Sequence, residues 1–112
     1  MLKFINLKEG SPTVDYALAI VEIEIENAKK EGCSCIKVLH GYGSHGKGGA
    51  ILLALRRRLQ VLCKQGKITD FFAGDEWNIF SPRTMAILNK DKSVVGDEDL
   101  NKTNPGITII YV

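Results

Sequence analysis

At 112 residues, with 45% apolar and 25% charged side chains, the chain has the composition of one ordinary globular domain. Its longest apolar runs fall far short of the ~20 residues a membrane span needs. The opening MLKFINLKEG lacks the apolar centre of an export signal, so a cytoplasmic location without membrane attachment is expected. The net charge of +2 excludes little, but the charge is unevenly spread. Gly32 to Thr69 holds no Asp or Glu while carrying Lys37, Lys47, Arg56, Arg57, Arg58, Lys64 and Lys67, and the remainder is acidic. Such a segment points to an anionic partner, because local potential steers ligands even when net charge is small.

Leu2 to Leu7 (LKFINL) predicts a first strand leading into the turn-like KEGS. Ser11-Pro12 then predicts a helix start, with Ser as N-cap and Pro at the first helical position. Ile20 to Glu26 (IVEIEIE) alternates with period two, a strand signature. Across the same region, however, Val14, Ala17, Leu18, Val21, Ile25 and Ala28 form a helical stripe that ends at Lys29, Lys30 and Gly32, all suited to a helix C-terminus. The longer stripe decides for helix and leaves Ile23 on the exposed side.

Cys35 to His40 (CIKVLH) predicts the second strand, and a second helix runs over about 49–65 with Ile51, Leu52, Leu55, Leu59 and Leu62 inward and Gly66 as its stop. Lys67 to Phe72 (KITDFF) predicts the third strand. Strands alternating with helices over short links imply parallel right-handed crossovers, hence an α/β sheet. The polar stretch 73–105 reads as an elaborated loop with a short helix around 83–88 after Ser81-Pro82. Within it Trp77 serves as a core anchor or, alternatively, as a base-stacking residue. Asp75, Glu76, Asp97, Glu98 and Asp99 read as solvated loop acids, with a divalent cation as the alternative guest. Ile107 to Val112 (ITIIYV) closes the core sheet, and no repeat or boundary divides residues 1–112.

The three cysteines, Cys33, Cys35 and Cys63, form an odd set without an export signal, which argues against a disulfide framework. Cys33 and Cys35 are expected on one face of a strand as small apolar groups. Zinc with His40 or His45 is the alternative, although C-x-C alone is not a zinc spacing.

The chemistry concentrates in VLHGYGSHGKGGAILLALRRRL, Val38 to Leu59. A strand that ends in glycines and feeds a helix is an anion cradle, since backbone N–H groups converge and the helix N-terminus carries about half a positive charge. Gly41, Gly43, Ser44, Gly46 and Lys47 line that turn, and His40 and His45 can hydrogen-bond a phosphate or exchange protons near neutral pH. Arg56, Arg57 and Arg58 splay ~100° apart, so only one or two of them, Arg56 and Arg57 in this reading, can face the same ligand. Gly41, Gly43 and Gly46 also satisfy G-x-G-x-x-G with Asp70 downstream, a dinucleotide fingerprint displaced to the second strand. The plainer alternative is a tight corner with surface histidines, for which so many glycines are an entropic cost without purpose. A Walker A loop is excluded, because no G-K-[ST] is present.

VLHGYGSHGKGGAILLAL together with the terminal NPGITIIYV resembles the H-G-x-G motif, following helix and last strand of Smr domains, the small MutS-related domains. The resemblance spans essentially the whole chain. It implies a two-layer βαβαββ domain with a mixed four-stranded sheet, like the C-terminal domain of bacterial translation initiation factor three. It also implies a DNA or RNA partner, with some members nicking or cleaving the nucleic acid. His40, Gly41 and Gly43 match H-G-x-G. The family's L-D-x-[HR] pattern on the first strand is replaced by INLK, with Asn6 for Asp and Lys8 for His or Arg. Asn cannot take a proton or supply an anionic metal ligand.

Binding to a nucleic-acid backbone is therefore the leading expectation, as a monomer or weak homodimer and with no cofactor evident. A nicking endonuclease, with or without a divalent cation, is the alternative. In that version His40, His45 and Lys8 do the acid–base and charge-stabilising work. A small-nucleotide binder is the outside alternative.

Overall fold

The computed structural model describes residues 1–10, 12–41 and 48–112. Strand β1 (Leu2–Asn6) leads to helix α1 (Val14–Glu31), strand β2 (Cys35–Leu39), helix α2 (Gly48–Lys64) and strand β3 (Asp70–Ala73). A 3-10 turn at Gly74–Glu76, helix α3 (Pro82–Lys90) and a second 3-10 turn at Lys92–Gly96 precede strand β4 (Ile107–Tyr111). The four strands lie in the order β1-β2-β4-β3. β1 and β2 are parallel, and β4 runs antiparallel to both β2 and β3. The sheet is therefore mixed, as the family resemblance implied, and not wholly parallel as the alternation of strands and helices alone suggested; β4 lies between β2 and β3.

Helix α1 starts later than Ser11-Pro12 suggested. Thr13 is the N-cap, its hydroxyl accepting from the Tyr16 amide at 3.2 Å, and Ser11 lies outside the described residues. Gly32, at φ 75°, stops the helix with its N–H on the carbonyls of Ala28 and Lys29, a conformation nearly free of cost only for glycine. The period-two run is helical: Ala17, Val21, Ile25 and Ala28 are buried and Ile23 is exposed. In α2, Ile51, Leu55, Leu59 and Leu62 are buried. β3 begins at Asp70 because Lys67 is engaged in closing α2, its amide donating to the Leu62 carbonyl at 2.9 Å.

Both faces of the sheet are covered. On one, α1 and α2 pack over Ile5, Leu7, Ile36, Val38 and Ile110. On the other, Trp77, Ile87, Leu88, Val94 and Leu100 pack over Cys35, Phe72, Ile107 and Ile109. The stretch read as an elaborated loop is thus a second core layer. Its polar composition conceals a few widely spaced apolar anchors. Cys33 and Cys35 lie in opposite cores, not on one face, because β2 begins only at Cys35 and Cys33 belongs to the preceding turn. All three thiols are free, and burial pushes that of Cys35 up to about 11.

The second layer is fastened to the sheet by charge. Lys37, 4% exposed, donates to Asp97 and Asp99, each at 2.8 Å. Asp97 also accepts from the indole N–H of Trp77 at 2.9 Å. Asp97 and Asp99 are therefore not the solvated loop acids expected; their carboxylates serve the buried ammonium of Lys37. At the far edge, Arg83 reaches across β3, donating to the Asp70 carboxylate and to the Phe71 carbonyl at 2.7 Å.

Candidate functional site

The register brings the C-terminal ends of β1, β2 and β3 and the start of β4 to one edge of the sheet. Four chain segments meet there: Asn6–Lys8, His40–Gly41, Ala73–Gly74 and Gly106–Ile107. The Gly106 carbonyl is the junction, accepting from the amides of His40 and Gly41, each at 3.0 Å. Gly41 has φ 73°, and the stem of Lys8 lies across it. A side chain at Gly41 would meet that stem only in ordinary van der Waals contact, at 3.4 and 3.5 Å, so the glycine is there for the left-handed backbone and not for space. The Gly41 amide itself is occupied and does not join a set of free anion donors.

Lys8 owes its position to Asn6. The Asn6 side-chain oxygen accepts from the Lys8 and Glu9 amides at 2.9 and 3.2 Å, a local turn in which the side chain replaces a backbone acceptor. The family-pattern position where a carboxylate was expected thus performs a task that either amide or acid oxygen can perform. Asx turns of this kind are readable from Asn at the end of a strand, and this role was missed.

His40 is buried, with Nδ1 2.5 Å from the Gly41 carbonyl and Nε2 2.8 Å from Thr108 Oγ1. A carbonyl can only accept, so Nδ1 carries the proton and donates, while Nε2 accepts from the threonine hydroxyl. Burial lowers the pKa of His40; the bond to Gly41 opposes this, and the nearby Arg56 charge lowers it further. The ring is neutral and fixes the turn to β4. Thr108 was not foreseen. Its signal was a hydroxyl inside the otherwise apolar strand ITIIY, where a fully buried polar group requires a partner.

The basic run divides by geometry. Arg56 is half-buried beside His40, and its Nε has no hydrogen-bond partner among the described residues. Arg57 is exposed. Arg58 turns to α1 and pairs with Glu22 at 2.7 Å. Lys37, counted within the basic segment, is the buried ammonium neutralised by two aspartates. Among the described residues, the cations brought to this end of β2 are therefore Lys8 and Arg56, from two separate elements. α2 begins at the same turn and has no acidic residue in its first turn. Gly43, Ser44, His45, Gly46 and Lys47 lie outside the described residues.

Among the described residues no group of three or more His, Cys, Asp or Glu side chains is placed to hold a metal ion, and no helix is long and apolar enough to cross a membrane. Trp77, fully buried, is a core anchor and not a stacking surface.

The fold is that of an Smr domain. The chain superposes on the Smr domain of Thermus thermophilus MutS2 with a TM-score of 0.59 at 22% identity, covering 97% of this chain and 95% of that one. No protein-family model and no curated protein sequence matches the chain.

Proposed function

We propose that the protein binds the sugar–phosphate backbone of DNA or RNA at the turn between β2 and α2. The observation that carries this reading is the convergence of Lys8 and Arg56 on a turn held in place by His40, Gly41 and Gly106. A helix N-terminus without acids adds its dipole, and Ser44, Gly46 and Lys47 belong to the same turn in sequence. Arg57 extends the cationic face along α2. Its fold likeness to a domain of MutS2 agrees with such a partner.

In this reading His40 organises the site. A general acid or base needs a free nitrogen within reach of the substrate, and both ring nitrogens of His40 are engaged within the protein. A strand-nicking activity in which His40, His45 and Lys8 take part would require His40 to leave Thr108.

The test is binding of labelled DNA and RNA across a salt series, with and without Mg²⁺ or Mn²⁺. Affinity should fall steeply with salt, because neutralising phosphates releases counterions. Affinity that stays level between low and physiological salt overturns the proposal. Cleavage that disappears in His40→Ala reassigns the protein to nicking, and saturable mononucleotide binding that polynucleotide cannot displace reassigns it to small nucleotides.

A further inference from the structure

Phe80 is 89% exposed, the highest value among the large apolar side chains of the described residues. It does not stand on a loose loop. Its own amide donates to Asn78 Oδ1 at 2.9 Å, the Ile79 amide to Asn101 Oδ1 at 3.0 Å, and the Ser81 amide to the Asn78 carbonyl at 3.2 Å. Asn78 is itself anchored, its amide on Thr84 Oγ1 and its side-chain nitrogen on the Asp75 carbonyl. Three successive backbone donors are thus satisfied in a turn whose effect is to hold one aromatic ring outward.

This turn is joined to the β2–α2 site by a short built bridge. Asn101 takes the Ile79 amide at one end, and Gly106 takes the amides of His40 and Gly41 at the other. Between them Asn101 and Thr103 hold left-handed backbone, at φ 67° and 54°. A β-branched residue adopts that conformation only where its surroundings impose it. Here Asn104 fixes the bridge, donating to Asp99 and accepting from the Gly106 amide at 2.8 Å. Lys102 is exposed on the bridge.

We infer that Phe80 is a stacking platform for an unpaired base, so that the preferred nucleic acid carries single-stranded nucleotides beside the phosphate held near His40 and Gly41. This rests on the backbone-binding reading above and adds the substrate class. A base offers a flat π-face the size of one ring, and aromatic stacking is tolerant of base identity. In a duplex the bases are stacked on one another and offer no free face to a protruding ring. A protein partner is the poorer fit: Phe80 with half-exposed Ile79 is far smaller than the ~800 Å² per side of a stable interface. The Asn78–Ser81 turn carries no basic side chain, so stacking, not charge, supplies the contact there.

The test compares wild type, Phe80→Ala and Phe80→Trp on oligothymidylate, oligouridylate and a blunt duplex of equal length. Phe80→Ala should weaken single-strand binding roughly tenfold, leave duplex binding unchanged and leave the salt slope unchanged. Phe80→Trp should keep the affinity, with its added exposed-indole emission quenched on the single strand. Equal single-strand affinity in wild type and Phe80→Ala overturns this inference while leaving backbone binding intact. Loss of a concentration-dependent self-association in Phe80→Ala, with nucleic-acid binding unaltered, also overturns it and assigns the ring to a protein contact. Failure of the wild type to bind any polynucleotide overturns both readings together.

Discussion

Replacing Lys37 by methionine removes one ammonium and leaves two carboxylates facing each other in the second core. Methionine conserves the stem, so little packing is lost. Lys37 is 4% exposed, with Asp97 and Asp99 10% and 22% exposed and both 2.8 Å from its nitrogen. Breaking a buried ion pair by deleting one member costs about 3–5 kcal/mol, because the surviving charge keeps its desolvation penalty without its partner. Asp97 retains the Trp77 indole N–H, which offsets part of that cost and places the expectation near the lower bound. For a domain of this size the loss is roughly 12 °C in Tm, a large share of a total stability of about 5–15 kcal/mol. Urea unfolding followed by the fluorescence of the single tryptophan reports on this core directly. Acid adds a second signature. Lys37 is the main cause of the lowered pKa of Asp99, so in the wild type that stabilisation is present above the ordinary carboxylate range and lost as pH falls through the depressed value. In Lys37→Met the Asp99 carboxyl loses that cause of its lowered pKa and protonates more readily, so the gap between the two proteins should narrow from pH 7 to about pH 4. A methionine variant within about 0.5 kcal/mol of wild type at pH 7 would refute the reasoning, because the triad would then behave as solvated surface charge.

Three further expectations follow from the geometry. Lys8→Ala and Arg56→Ala should each reduce the slope of log affinity against log salt by about one, whereas Arg58→Ala, held to Glu22, should leave it unchanged; equal slopes in all three would dissolve the distinction drawn among the basic residues. Gly74→Ala places a methyl group against the Asn104 carbonyl and the Ile107 side chain, so it should cost at least ~3 kcal/mol or abolish folding, read by denaturant titration. His40 has a folded pKa below its ordinary value, so its neutral form stabilises the protein fully above about pH 6.5 and the contribution declines as pH falls towards the folded value. The midpoint of thermal unfolding should therefore drop between about pH 7 and pH 5, and His40→Asn should flatten that dependence.

The helices were legible because their apolar stripes are long: Ala17 to Ala28 spans enough turns to outweigh the period-two run inside it, and Ile23 went to the exposed side as the stripe required. The antiparallel insertion of β4 was not readable from the order of elements, because short βα links are compatible with any strand placed later between β2 and β3. The covered second face did leave a trace. CIKVL and ITIIY are apolar at both phases of the strand period, which is the mark of a sheet buried on both sides, and the only cover remaining was 73–105. Lys37 masked that trace by resembling a surface cation in a basic segment. Of the candidate site, His40, Gly41 and Lys8 were singled out from the sequence, and Gly43 to Lys47 lie outside the described residues. The occupation of His40 by Thr108, and of the Gly41 amide by Gly106, depends on contacts more than 60 residues apart in the chain, which no local pattern encodes.

Those long-range contacts place the site under the control of the strand synthesised after the other three. β4 supplies the hydrogen-bonding neighbour of both β2 and β3, and His40 and Gly41 gain their two fixing partners, the Gly106 carbonyl and the Thr108 hydroxyl, only when that strand docks. On the ribosome, β1, α1, β2 and α2 can emerge and pair locally while the centre of the sheet stands open and His40 has no partner on β4. Arrival of β4 is the closing step of a vectorial assembly, and the fixed geometry of the His40–Gly41 corner comes with it. A nascent chain paused before Gly106 would display two unpaired strand flanks to its neighbours, making the interval before that last strand the window in which this protein most needs protection from association.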